Sequence, residues 1–234
     1  MTDYLYLNDY YLQTSEAKVA EVRNGTGIIL DRTCFYPGGG GQPCDFGAIA
    51  CKGVDYAMGE VRKENGEALH IVDKPGLNVG EAVVLQIDWP RRYALMRMHT
   101  AAHVLGSVAF RSGALITGNQ LGVEQSRFDF SFENFDRAAF DAVVEKANSF
   151  LSQPIGVKSY DLPREEALAN PEMVKLAGAL PPSIAILHIV EIPGVDIQAD
   201  GGTHVRSLSE VGQIKLLKIE NKGAKNKRAY FSLA

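Results

Sequence analysis

Cysteine is scarce in this chain of 234 residues: Cys34, Cys44 and Cys51 stand alone, all in the first quarter. So small and odd a number excludes a disulfide framework, and the spacing does not suit a closed zinc knot. Long apolar runs are missing too. No stretch approaches the ~20 residues of a membrane-spanning helix, so no membrane association is expected. The N-terminus has neither a basic segment nor the apolar stretch of a secretory signal, and a reducing cytoplasm is the expected setting. A basic excess is also absent. The net charge is -4, whereas nucleic-acid binders usually carry clustered Lys and Arg. There is no internal repeat and no low-complexity segment.

What is present falls into two textures. The first ninety residues are dense in Gly and Pro, from Pro37 and Gly38 through Gly80. Short apolar runs at 4–7, 27–30 and 82–87 lie between these turn formers, a pattern that predicts a small β-barrel. The texture changes at Asp88-Trp89-Pro90. Leu95, Met98, Ala102, Leu105 and Ala109 recur at three- and four-residue spacing and predict a helix over 91–111, with Asp88 and Pro90 as its start signals. A second helix is predicted over 136–151, with Phe140, Val143, Val144, Ala147 and Phe150 as its apolar face, and a third over 165–176. Strands are predicted at 127–132, 184–192 and 213–219. The fold class is therefore α+β: a β-barrel domain over 1–90, then an α+β domain over 91–234. Local charge is uneven. Lys215, Lys218, Lys222, Lys225, Lys227 and Arg228 face only Glu220 near the C-terminus, which is either a phosphate-binding strip or a solvated surface.

The chemistry-bearing residues are histidines. His99 and His103 are four apart on the predicted helix, so both rings lie on one face and can reach one metal ion. No Glu follows His99, which excludes the H-E-x-x-H metalloprotease pattern. The second element is Asp200-Gly201-Gly202-Thr203-His204, where paired glycines permit a tight turn and close backbone approach. That turn presents His204, and with it Asp200, as further ligands. Three protein ligands and a water are the form of a catalytic zinc site. The alternatives are two chance histidines on a helix and a plain β-turn. The loop from Gly38 to Gly41 is not a P-loop, because no Lys-Ser or Lys-Thr follows it. Arg127 and Asp129 share a strand face and read as a structural ion pair.

Four segments together resemble the AlaX family of alanyl-tRNA editing proteins, relatives of the editing domain of alanyl-tRNA synthetase. They are Phe35-Tyr36-Pro37-Gly38-Gly39-Gly40-Gly41-Gln42-Pro43 with Asp45 and Gly47; Asp88-Trp89-Pro90-Arg91-Arg92-Tyr93 leading into His99-Thr100-Ala101-Ala102-His103; Arg127-Phe128-Asp129-Phe130; and Gly201-Gly202-Thr203-His204-Val205 with Glu210, Val211 and Gly212. Their order and spacing span nearly the whole chain.

The resemblance implies a barrel followed by an editing fold shared with threonyl-tRNA synthetase, in the medium-length form that lacks a further C-terminal domain. It implies one zinc ion per chain, held by His99, His103 and His204. Asp200 stands where the family usually has Cys, so it replaces that ligand or leaves a three-His site. The implied reaction is hydrolysis of the ester joining serine, or glycine, to the 3′ end of alanine tRNA. Zinc either activates the attacking water or holds the substrate's amino group while another water attacks. Gln120 is placed facing the amino-acid side chain, the alternative being a turn or surface residue; Thr100 either lines the pocket from the helix or bonds its own backbone. Gly40, Gly41 and Gln42 help to shape or cover the site. Arg91, Arg92 and Arg97, with Lys222, Lys225, Lys227 and Arg228, are candidates for tRNA phosphate. The rival readings are a same-fold hydrolase for another aminoacyl ester and a non-catalytic tRNA-binding module with a structural metal. Monomer and homodimer remain open.

Overall fold

Every feature that follows comes from a computed structural model, which describes residues 2–133, 135–170, 173, 185–223 and 225–234. The chain divides into two units, Met1–Leu95 and Met96–Ala234.

In the first unit, β1 (Asp3–Tyr4) is followed by a 3₁₀ turn, Leu5–Leu7, where the sequence predicts a strand over 4–7. Aromatic packing explains the difference. Tyr6 is buried edge-on to both Tyr4 and Tyr36, and the turn holds its ring in that position. Then come β2 (Thr14–Arg23), β3 (Gly27–Leu30), β4 (Arg32–Thr33), β5 (Gly47–Cys51), β6 (Val54–Glu64), β7 (Glu67–Val72) and β8 (Ala82–Ile87). Six of these close into a barrel in the order β2-β3-β7-β6-β5-β8. Three hairpins turn on residue pairs at positive φ, Asn24-Gly25, Lys52-Gly53 and Asn65-Gly66, the conformation that matches the twist of adjacent strands. Alternation along β8 sends Val83, Leu85 and Ile87 inward, where they meet Ile28, Leu30, Ile49 and Met58. Gly47 permits the β5–β8 approach, since a Cβ there would stand 2.1 Å from the Gln86 carbonyl oxygen.

The same unit holds Arg92 and the glycine-rich loop. Arg92 is fully buried and ion-paired with buried Asp45. Its remaining N–H groups donate to the carbonyls of Tyr10 (3.0 Å) and Cys34 (2.8 Å). Asp45 in turn accepts from the Tyr36 N–H at 2.7 Å. Arg92 is therefore withdrawn from the group able to meet phosphate, a correction to the expectation from sequence. Gly38 to Gly41 all lie at positive φ, and Gly39 exchanges both backbone hydrogen bonds with Gln42.

Helix α1 (Trp89–Arg111) is capped by Asp88, whose carboxylate accepts from the Arg91 N–H at 3.2 Å. The predicted apolar stripe understates this helix. From Met98 to Ala109 every residue is buried, as befits the central helix of a unit. The strands β9 (Leu115–Gln120) and β10 (Ser126–Ser131) follow, then α2 (Arg137–Leu151), β11 (Lys158–Pro163), α3 (Arg164–Ala169), β12 (Ile186–Ile192), β13 (Asp196–Ala199), β14 (Ile214–Asn221) and β15 (Asn226–Leu233). They form an antiparallel sheet, β14-β15-β10-β9, and a second antiparallel sheet, β11-β12-β13. Asp136 caps α2 through the Ala138 N–H. The buried face of α2 ends on Leu151 rather than Phe150, which stays partly exposed beneath Lys146. Residues 171, 172 and 174–176 of the predicted third helix, and 184 of the predicted strand, lie outside the described residues. The fold is thus α+β with a six-stranded barrel.

Candidate metal centre

Helical periodicity sets the first half of the site. His99 and His103 lie one turn apart on α1, with ring centroids 5.0 Å apart. The second half comes from β13 and the loop after it. The Asp200 N–H donates to the His188 carbonyl at 2.9 Å, extending the β12–β13 ladder by one residue before the chain turns through Gly201 and Gly202. This places His204 with its ring centroid 4.3 Å from that of His99 and 4.6 Å from that of His103.

The three imidazoles converge on one carboxylate. Asp200 Oδ2 lies 3.2 Å from Nε2 of both His99 and His103, and Oδ1 lies 3.9 Å from Nε2 of His204. The four ligand atoms all fall within 4.8 Å of one another. An ion about 2.1 Å from each of several ligands in a tetrahedral arrangement requires separations of roughly 3.4 Å between them. The observed spacing and the nitrogen-and-oxygen donor set fit such an ion. The metal's identity is a separate matter, since imidazole suits zinc, copper, iron and nickel alike.

Supporting contacts fix the rings. His103 Nδ1 donates to buried Asp196 Oδ2 at 3.0 Å, a carboxylate–histidine pair of the kind that orients metal ligands. His204 Nδ1 is 3.1 Å from the Thr100 hydroxyl, which also accepts from the Val205 N–H at 3.3 Å. Gly202 has no room for a side chain: a Cβ would stand 2.3 Å from His99 Cε1.

The electrostatics follow from this packing. Burial alone lowers the His103 pKa, yet hydrogen bonds to Asp196 and Asp200 and their charges outweigh it and raise it to about 9. Burial would raise the Asp200 carboxyl, but the positive charge of His99 and the hydrogen bonds from His103, His204 and His99 hold it well below the usual range. His204 is pushed down to about 3 by burial and by its histidine neighbours. Without an ion, then, the charged form of His103 is held between the Asp196 and Asp200 carboxylates. A divalent cation would displace the proton on the ligating nitrogen.

The other candidates lie elsewhere. Gln120 is exposed on β9, and its side-chain carbonyl accepts from Arg127 Nε at 3.0 Å. Thr100 spends its hydroxyl on His204 and Val205 rather than on open space. Gly40, Gly41 and buried Gln42 belong to the first unit. Arg91 lies over the Phe46 ring at 3.8 Å. Arg97 donates twice to the Val211 carbonyl. Arg228 grips Asp129 with two N–H groups, at 2.6 and 2.8 Å, and Arg127 reaches the same carboxylate at 3.0 Å, so this pair is structural. Lys222 pairs with Glu220 at 3.0 Å, Lys227 bonds Asn221 at 3.1 Å, and Lys225 is exposed. Sequence reasoning passed over Asp196 and Gln198. The alternation in Asp196-Ile197-Gln198-Ala199-Asp200 was the available signal, since it puts three polar side chains on one strand face.

Residues 7–91 match the family described as tRNA synthetases class II (A), and residues 187–230 match the threonyl and alanyl tRNA synthetase second additional domain. The alanyl-tRNA editing protein AlaX-M of Saccharolobus solfataricus is 49% identical over 237 residues, covering 100% of this chain and 99% of the relative. The AlaX-M protein of Methanosarcina barkeri is 44% identical over 241 residues at the same coverage. The alanine–tRNA ligase of Pyrobaculum neutrophilum is 35% identical over 228 residues, which is 92% of this chain and 25% of the ligase. The chain belongs to the AlaX-M family of alanyl-tRNA editing proteins.

Proposed function

We propose that this protein is a trans-acting deacylase: it hydrolyses the ester of alanine tRNA mischarged with serine, and with glycine as a second substrate, and holds one zinc ion on His99, His103 and His204. The observation that supports this most is the meeting of three buried imidazoles from two distant stretches of chain around Asp200. A bound zinc ion supplies Lewis acidity and lowers the pKa of a coordinated water towards ~7. The chain's own groups do the rest. Asp196 fixes the tautomer of His103, Thr100 orients the His204 ring, and burial of all three rings keeps bulk water from their edges. Asp200 either completes the ligand set or neutralises it.

Gln120 is proposed to meet the serine hydroxyl through its amide, because a site built for that hydroxyl leaves a polar group unpaired when alanine enters. Gly40, Gly41 and Gln42 are proposed to cover the aminoacyl end. Arg91, Lys222, Lys225 and Lys227 are proposed to meet phosphate.

The test is metal analysis of the purified protein beside deacylation of seryl-, glycyl- and alanyl-tRNA(Ala). The expected result is one zinc per chain, rapid loss of serine, slower loss of glycine and retention of alanine. His103→Ala should abolish both metal and turnover while the protein remains folded by circular dichroism. A second reading has one observation in its favour: Asp200 can supply a fourth protein ligand, as in a closed structural site. Metal-replete protein that binds alanine tRNA without hydrolysing it would establish that reading instead.

A further inference from the structure

Strand β13 brings three polar side chains to one face, and the outer two are accounted for. Asp196 is buried against His103 Nδ1, and Asp200 sits among the three imidazoles. Gln198, between them, is only partly buried. Its amide nitrogen stands 2.9 Å from His103 Nδ1 and 3.0 Å from His103 Nε2. A group nearly equidistant from both nitrogens lies over the imidazole face, because an in-plane position would collide with Cε1. Nor does the ring offer it a lone pair. Nδ1 gives its proton to Asp196, a carboxylate that only accepts, and Nε2 faces Asp200 and the ion position. The amide N–H groups therefore touch the edge of the metal centre with no acceptor on His103, and their side chain reaches solvent.

A donor placed there has an obvious partner in the proposed reaction. As water attacks an aminoacyl ester, a C–O bond forms and the carbonyl π electrons move onto the carbonyl oxygen. When the tetrahedral species collapses, those electrons return, the bond to the ribose oxygen breaks, and the proton lost by the water ends on that oxygen. Negative charge on the former carbonyl oxygen exists only between these two events. A preoriented amide N–H in a water-poor site is suited to meet it. Resting on the deacylase reading above, we infer that Gln198 donates a hydrogen bond to the ester carbonyl oxygen and stabilises its charge in the transition state. Gln198 is then a catalytic residue, and Asp196 a positioning residue for His103.

The experiment compares Gln198→Ala and Gln198→Glu with the unaltered protein. The Glu variant keeps the side chain's shape and removes its donors. Three quantities are read: zinc per chain, kcat and KM on seryl-tRNA(Ala), and affinity for two uncleavable adenosine 3′-conjugates of serine. One conjugate is a planar amide and the other a tetrahedral, anionic phosphonate. Loss of one such donor typically lowers kcat by roughly 10²–10³. Both variants should show that loss with KM changed less than about threefold and zinc content unchanged. Phosphonate affinity should fall by a factor similar to that in kcat, and amide affinity should hold. Unchanged kcat overturns the inference. So does an equal loss of affinity for both conjugates, which would make Gln198 a ground-state contact, or loss of zinc, which would make it a structural support. Failure of the unaltered protein to hydrolyse seryl-tRNA at all would instead defeat the deacylase reading.

Discussion

Single atoms decide whether three imidazoles can share one ion. Behind His103, the Asp196 carboxylate accepts the Nδ1 proton at 3.0 Å. Removing such a partner typically costs 10–100-fold in metal affinity. Asp196→Asn should therefore weaken zinc binding by about that factor in a chelator competition, with the thermal transition little changed; unaltered affinity would mean that α1 alone fixes the ring. Gly202 gives a sharper case. A methyl group there would lie 2.3 Å from His99 Cε1 and 2.5 Å from its Nδ1, closer than non-bonded atoms approach. Gly202→Ala should swing His99 out and leave the protein with much less than one zinc per chain, and retention of full occupancy would show that the loop can yield instead. These residues differ in how legible they were. The His99–His103 pair and the Gly-Gly-Thr-His turn declare themselves by spacing. Gln198 and Asp196 show only as an alternation of polar residues over 196–200, a faint signal that gains meaning once β13 is known to be a strand. Arg92 carried the opposite trap: from sequence a cation near other cations suggests phosphate, whereas burial with Asp45 makes it a strut.

At the scale of elements, long periodic segments were readable and short ones were not. Helix α1 was visible because its apolar residues recur over about four turns, and β8 because a β-branched apolar run stands between turn formers. The chain at 4–7 misled because an apolar run without period reads equally as strand or turn, and only the edge-on packing of Tyr6 against Tyr4 and Tyr36 resolves it. The short strands β9 and β11 carry exposed or mixed faces and left no pattern. One buried titratable group ties two barrel strands to β4. His70 on β7 donates from Nδ1 to the Ile28 carbonyl on β3 at 3.1 Å, and its Nε2 accepts from the Thr33 hydroxyl on β4 at 2.9 Å. Burial lowers its pKa from 6.5 to about 4. Above pH 6.5 both folded and unfolded chains hold it neutral, so its contribution is complete. Between 6.5 and 4 the unfolded chain takes up a proton that the fold refuses, and stability falls by about 1.4 kcal/mol per pH unit, roughly 3 kcal/mol in all. Below 4 the loss levels off. Urea unfolding of the unaltered protein and of His70→Gln across this range should diverge in slope by that amount; parallel curves would show that His70 is not the titrating group.

For the molecule as a whole, the question is how a chain of net charge -4 holds a polyanion. Long-range attraction to tRNA is not available to such a protein, so recognition must come from a few local cations whose phosphate contacts release counterions. The hairpin of β14 and β15 supplies the densest such group, and its members are unequally committed. Arg228 is bound to Asp129 by two hydrogen bonds and Lys218 lies 2.6 Å from Glu220. Lys222 and Lys227 hold weaker or neutral partners, and Lys225 is exposed. If those three lysines meet phosphate, each should contribute about 0.7–0.9 to the slope of log affinity against log salt. Replacing Lys222, Lys225 and Lys227 together by Ala should lower the slope by roughly 2–3 for alanine tRNA. Hydrolysis of a seryl ester of adenosine, which has no phosphate to offer them, should be unchanged. An unaltered slope would take this hairpin out of tRNA recognition and move the search to Arg91. A fall in adenosine-ester hydrolysis would mean that the lysines act on the metal centre itself rather than on the tRNA backbone.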